Sequence, residues 1–347
     1  MLGSVAMAVV KPFRALRYDE RKAGPLERLV APPYDVISTD ERGELLDRSP
    51  YNVVHLTLPE SDAEAARELE LWQRDGILVR DDEPSFWALS QRYAGPDGVE
   101  RTRNGLVTAL RLEPYEKRIV LPHELTHAGP KEERLRLLRA VRAQLEPIFL
   151  LYDGPSVELP EREPDVEAGD ARLWRIDGVP DFSDTRLLIA DGHHRYETAV
   201  AFHAEDGTEA SAYMMVVLVS TRDEGLTIFP THRIAQSVGD VSGTPIDRPA
   251  DELPGLVLYR QGRYELLDAD GLDPEVVDRL QPQGVSYTPH VDEAVAAVDR
   301  GEAEAAFLLR PTRIEDVWEI AGRGDMMPQK STFFYPKLTS GLLFLPL

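Results

Sequence analysis

The stretch LLIADGHHRYETAVAF, residues 187–202, constrains this chain more than any other. A short apolar run of the kind found in a buried strand leads into Asp191 and Gly192. Beyond them Tyr196, Ala199, Val200 and His203 recur at the spacing of one helix face. A strand, a tight glycine turn and a helix in immediate succession form a unit that has to pack within a larger sheet. The rest of the chain supplies such a sheet. SFWALSQRYA and RNGLVTALRLEPY, separated by a turn at Gly95 to Gly98, read as paired strands. PIFLLYD reads as a buried strand, SAYMMVVLVS as a central one, LTIFPTHRI as its neighbour and YNVVHLTLPE as a further strand. SDAEAARELELWQRDGIL and PKEERLRLLRAVRAQL are helices by their apolar periodicity, and STDERGELLDR is a shorter one that Ser38 or Thr39 can cap, with Glu41 placed for a capping box if Ser38 is the cap. GPSVELPEREPDVEAGD and residues 240–255 read as loops. The alternation predicts an α/β, mixed α+β architecture: a core over residues 10–240 and a smaller C-terminal α/β unit over 241–347 whose KST segment returns to the site.

Composition narrows what such a fold can do. The 347 residues contain no cysteine, which excludes disulfides, thiol catalysis and Cys-based zinc sites. The formal net charge of −22 would repel a nucleic-acid backbone. The one basic cluster, Lys131, Arg134, Arg136, Arg139 and Arg142, spreads around a helix and reads as a solvated face. No apolar run is long enough to span a membrane, and the N-terminal order of apolar and basic residues is wrong for a signal peptide. The expectation is a cytoplasmic protein that meets small molecules rather than nucleic acid or membrane.

At the turn itself, the free N–H groups of a helix start and the positive end of its macrodipole suit an anion. Gly192 lets a phosphate approach the backbone. His193, His194 and Arg195 offer donors to its oxygens, and Asp191 is placed to hold Mg²⁺ or a substrate group. The plain alternative is that Asp191 only caps the helix. The turn matches neither standard nucleotide-binding glycine motif. A second short motif, HELTH at residues 123–127, matches H-E-x-x-H, in which His123 and His127 would hold zinc and Glu124 would act as base. Pro122 before it and Gly129-Pro130 after it leave too little helix for that platform.

Taken in order, APPYDVI, PHELT, IADGHHRYETA, PTHR and MPQKSTFFYPKL resemble a bacterial and archaeal family long catalogued only as a domain of unknown function. The DGHHR turn also resembles the nucleotide-binding turn of the ParB/sulfiredoxin superfamily, which includes free-serine kinases. The resemblance implies a ParB/sulfiredoxin-like core with ATP or ADP and Mg²⁺ bound at Asp191, Gly192, His193, His194 and Arg195. It also implies Glu124 as the base that accepts a substrate hydroxyl proton, and Asp35 as a contact for the substrate amine or a residue that fixes its turn.

In MPQKSTFFYPKLTSG, Lys330, Ser331, Thr332 and Lys337 can neutralise phosphate charge, or can belong to an ordinary terminal strand. His232 and Arg233 of PTHR are a candidate substrate-binding pair, or a pair facing solvent. Three functions are compatible with this set: a kinase for a small hydroxylated metabolite such as L-serine, a nucleotide-binding switch or scaffold without an acceptor, and a zinc hydrolase built on HELTH.

Overall fold

The computed structural model describes residues 8–126, 128–182, 185–249 and 252–347. They form a mixed α+β protein with two large sheets. The larger sheet has nine strands among the described residues. Its order is Val120–Leu121, Leu187–Asp191, Ile148–Tyr152, Tyr213–Ser220, Glu100–Arg111, Phe86–Ala94, Ala171–Ile176 and Val166–Ala168, with Val10–Lys11 added on Glu100–Arg111. Two of its pairings fix the site. Val120–Leu121 runs parallel to Leu187–Leu188, so residues 122–124 and 190–192 leave the sheet side by side at one end. Ile148–Tyr152 runs antiparallel to Leu187–Asp191, which brings Pro147 and Glu146 to that same end.

The second sheet is antiparallel throughout and has the order Thr244–Ile246, Arg263–Leu266, Val257–Arg260, Ala305–Leu308, His232–Ser237 and Gln283–Thr288. Helices Asp273–Arg279 and Val291–Asp299 bury Val276 and Val277, and Ala294 and Val298, in its two apolar layers. After helix Ile314–Arg323 the chain returns to the first sheet. Met327, Phe334, Leu338, Leu342 and Phe344 are buried in the same core as Leu89, Val107 and Met215.

Several expected elements form as read. Ser38 and Glu41 make a reciprocal capping box on helix Thr39–Arg48. Helices Asp62–Arg74 and Ala128–Val141 and the hairpin of Phe86–Ala94 with Glu100–Arg111 are present. Every cation of the basic cluster meets an acid: Lys131 with Glu197, Arg134 with Glu133, Arg136 with Asp62, Arg139 with Glu205 and Arg142 with Asp206.

Other elements differ. YNVVHLTLPE is not a strand but contains the short helix Val54–Thr57. Asn52 accepts from the Val54 N–H at 3.0 Å and donates its amide to the Arg28 carbonyl at 2.8 Å, which turns the backbone there. Val53, Val54 and Leu56 are fully buried, and such a run carries no period that separates strand from helix. LTIFPTHRI is not a single neighbour of Tyr213–Ser220. Pro230 cannot donate to a ladder and splits it. Thr227–Phe229 pairs with Phe333–Tyr335, and His232–Ser237 joins the second sheet. The two loops each contain one edge strand, Val166–Ala168 and Thr244–Ile246.

Candidate functional site

The turn is built on Gly192. Its φ of 99° lies in the left-handed region, and a Cβ there would stand 2.5 Å from the Ile148 side chain, so only glycine fits. Helix His193–Asp206 begins directly after it, with Gly192 at its N-cap and no side-chain cap. Asp191 therefore does not cap the helix. One carboxylate oxygen meets Arg195 at 2.8 Å and the other meets the Lys337 ammonium. Burial opposes ionisation of Asp191. Lys337 and Arg195 outweigh it and hold the carboxyl below the usual range. Arg195 also donates to the Pro147 carbonyl at 2.6 Å, and Glu146 and Asp191 outweigh its burial to keep it charged.

Two imidazoles close the next layer. A carbonyl can only accept, so His123 Nδ1–H donates to the Ile189 carbonyl at 2.7 Å and Nε2 accepts from the Thr332 hydroxyl at 3.0 Å. His193 Nε2 accepts from the His123 backbone N–H at 3.3 Å, which puts its own proton on Nδ1. The two rings pack edge to face at 4.8 Å between centroids. Burial pushes the pKa of His123 down to about 4 and that of His193 well below its usual value, so both rings are neutral at pH 7. His194 is partly exposed and lies within electrostatic reach of His193.

Glu124 reaches this cluster from the neighbouring strand exit. Residues 123–126 are not helical. The Met327 N–H donates to the His123 carbonyl at 2.8 Å, and Glu124 forms a parallel bridge with Met327. The helical platform that a zinc reading of HELTH requires is thus missing, and both His123 nitrogens are already hydrogen-bonded. His127 lies outside the described residues, and among the described residues no group of three or more metal-ligating side chains is present. Burial raises the Glu124 pKa against the opposing pull of Lys330 and Lys337. The Lys330 backbone N–H donates to its carboxylate, and Asp191 adds a like charge.

Four of the five motifs meet along residues 327–340. Lys330 stands at a left-handed φ of 55° in the turn beside Glu124. The Ser331 hydroxyl donates to the Pro328 carbonyl at 2.6 Å, so it closes that turn rather than facing the cluster. Behind the DGHHR turn lies PPYDV. The Tyr34 N–H donates to Glu146 at 3.0 Å, and Asp35 is within electrostatic reach of Arg195 and Glu146.

PTHR stands apart from the other four. His232 accepts from the Leu309 N–H within the second sheet. Arg233 pairs with Asp278 at 2.9 Å and donates to the carbonyls of Pro274 and Gln329, so it braces the 328–331 turn from behind. Neither side chain joins the Asp191 cluster.

Two participants carried no signal in the sequence. Glu146 is buried and accepts from Ser340 at 2.8 Å as well as from Tyr34; burial raises its pKa against the pull of Arg195. Glu197 accepts from Thr126 and Lys131, each at 2.8 Å, and ties the PHELT segment to the turn helix. A glutamate before a proline, or one on a helix, looks ordinary until its neighbours are known.

The donor set does not fit a divalent cation at Asp191. Both carboxylate oxygens are held by cations, and a metal there would be set against Lys337 and Arg195. What the cluster offers instead is an uncapped helix start, the neutral imidazole of His193, two lysines and a carboxylate of raised basicity.

A mixed α+β fold with a strand–glycine–helix turn, closed by a returning C-terminal segment, is the class of protein this geometry defines. The chain belongs to the family described as "Protein of unknown function (DUF1015)", whose model matches residues 10–246. No curated protein matches. Among solved structures, the chain is similar to a free serine kinase in complex with AMP, at 16% identity and a TM-score of 0.39 over 65% of this chain and 89% of that one. It is also similar to SbnI with a C-terminal truncation from Staphylococcus aureus, at 11% identity and a TM-score of 0.44 over 69% and 87%. A conserved hypothetical protein from Pyrococcus furiosus matches at 17% identity and a TM-score of 0.36 over 65% and 92%. No helix among the described residues is long and apolar enough to cross a membrane.

Proposed function

We propose that this chain is a small-molecule kinase that phosphorylates the hydroxyl of a free metabolite, with L-serine giving O-phosphoserine as the leading reaction. One observation carries the reading: the Glu124 carboxylate, made more basic by burial, shares a cluster with Lys330, Lys337 and Asp191 beside an uncapped helix start. An acid of raised pKa next to an anion-receiving turn is what a hydroxyl needs to be activated and a phosphate needs to be held. Bound ATP or ADP would supply its terminal phosphoryl group and leave as ADP or AMP.

Glu124 takes the proton of the acceptor hydroxyl on a carboxylate oxygen. The N–H groups that open helix His193–Asp206, with Gly192 leaving room beside them, receive phosphate oxygens. His193 Nδ1–H and His194 donate to them, and Lys330 and Lys337 offset the charge that develops. Asp191 sets the positions of Arg195 and Lys337. Asp35, behind Arg195, is the candidate partner of a substrate amine. Magnesium would enter with the nucleotide, and no residue is assigned to it.

The test incubates purified protein with ATP or ADP and a panel of amino acids and hydroxy acids, with phosphorylated product read by mass spectrometry. Acceptor-dependent product is expected. Nucleotide binding with no product from any acceptor would replace the kinase by a binding switch, and no nucleotide binding by calorimetry would remove both readings.

A further inference from the structure

His232 has no part in the Asp191 cluster, yet it is almost wholly enclosed. The Leu309 backbone N–H donates to its Nδ1 at 3.1 Å, so the ring's proton sits on Nε2. Burial, with His290 nearby, holds its pKa at about 4, and the ring is neutral at pH 7. His232 lines a cleft of about 1660 Å³ between the tip of the 95–101 hairpin and one end of the second sheet. With Nδ1 taken, Nε2–H is the donor the ring offers there.

Two further features face the same space. The first turns of helices Val291–Asp299 and Ile314–Arg323 line the cleft, and neither N-cap residue, His290 or Arg313, caps its helix through a side chain; Asp292 and Asp316 of those turns also stand on the wall, Asp292 neutralised by Arg248. Phe229, Tyr264 and Leu309 supply apolar wall. All four arginines on the wall are engaged by acids, Arg101 by Asp97 at 2.7 Å, Arg248 by Asp292 at 3.0 Å, Arg310 by Asp273 and Arg313 by Glu315 at 3.4 Å, so they balance charge rather than wait for a ligand. The cleft is distinct from the Asp191 cluster, and the 328–331 turn stands between them. Thr312, on the cleft wall, donates to the Ser331 carbonyl at 2.7 Å.

We propose that this cleft is a second ligand site, for a small organic anion in which a carboxylate or phosphate is carried on an apolar body. The His232 Nε2–H is its buried donor, and the two uncapped helix starts receive the remaining oxygens. The inference stands independently of phosphoryl transfer.

Benzoate and phenyl phosphate are suitable probes, since they share an apolar ring and differ in the anion. Each is titrated into the full chain while the histidine side chains are followed by long-range ¹H–¹⁵N NMR. Saturable binding of at least one probe is expected, with the His232 Nε2 signal moving and those of His123 and His193 unmoved. Which probe binds tells carboxylate from phosphate. His232→Phe keeps a ring but removes the donor, and should weaken the probe about tenfold, roughly the worth of one such hydrogen bond. That variant also strips the Leu309 N–H of its acceptor, so should it fail to fold, the wild-type signal decides. The proposal is overturned by saturation with neither probe, by movement at His193 instead of His232, or by unchanged affinity in a folded His232→Phe.

Discussion

His194-Arg195 and His232-Arg233 are the same pair of letters in two settings. The first stands at a helix start, where successive residues fan out around one end of the element, and Arg195 folds back onto Asp191. The second stands inside a strand, where neighbours point to opposite faces. His232 lines the cleft, while Arg233 turns to Asp278 and the 328–331 turn. Adjacency in sequence thus gathers chemistry at a helix start and divides it in a strand. Sequence reading treats both as pairs, whereas the backbone makes one a cluster and the other two unrelated contacts.

Substitutions can break or sharpen that contrast. Glu124→Gln should have the largest effect, a loss of about 10²- to 10⁴-fold in turnover with nucleotide binding retained by calorimetry. Unchanged turnover would clear Glu124 of the base role. Next come the two arginines. Arg195→Met leaves buried Asp191 and Glu146 short of their cation and should lose about 3–5 kcal/mol in denaturant unfolding, with nucleotide binding weakened. Arg233→Met should lose less, about 1–3 kcal/mol, because Asp278 is half exposed and can rehydrate, and it should spare nucleotide binding. Equal effects of the two on binding would erase the distinction between cluster and brace.

Lys337→Met should lose about 1.5–3 kcal/mol near neutral pH. The folded Asp191 pKa is depressed, so its contribution to stability is present above the unfolded carboxylate value of about 3.9 and fades as pH falls through the folded value. The gap between wild type and variant should therefore be full at pH 6–7, begin to shrink near pH 4 and close only as pH falls through the folded value of about 2. A gap that is constant with pH would mean that Lys337 acts by packing. Smallest of all, Arg139→Ala breaks a solvent-exposed pair with Glu205 and should leave the melting temperature within measurement scatter.

Much of this could be read in advance because it is local. The glycine turn, the capping box of Ser38 and Glu41, and the amphipathic helices each depend on residues within a few positions of one another. HELTH, whose zinc reading Pro122 and Gly129-Pro130 already opposed, and YNVVHLTLPE, which read as a strand and is not one, share one lesson. Short patterns leave the backbone state open, and distant partners fix it: the Met327 N–H bonds the His123 carbonyl, and the Arg28 carbonyl holds Asn52. Glu146 was invisible because its meaning lies in Tyr34, Ser340 and Arg195 together. The MPQKST segment was legible as chemistry, but Ser331 turned out to close a turn, and Lys337 to neutralise Asp191.

The segment over residues 327–340 has a consequence for how the protein is made. Lys337 follows Asp191 by 146 positions, and synthesis proceeds in that order. While the chain is on the ribosome, Asp191 and Arg195 can meet long before Lys337, the Lys330 N–H or Thr332 exists. A nascent chain can complete its first sheet and still have Glu124 and His123 without these partners. Assembly of the cluster is therefore a late event in biogenesis, and a translation product halted before residue 327 would carry the strand, the glycine and the helix but no working site.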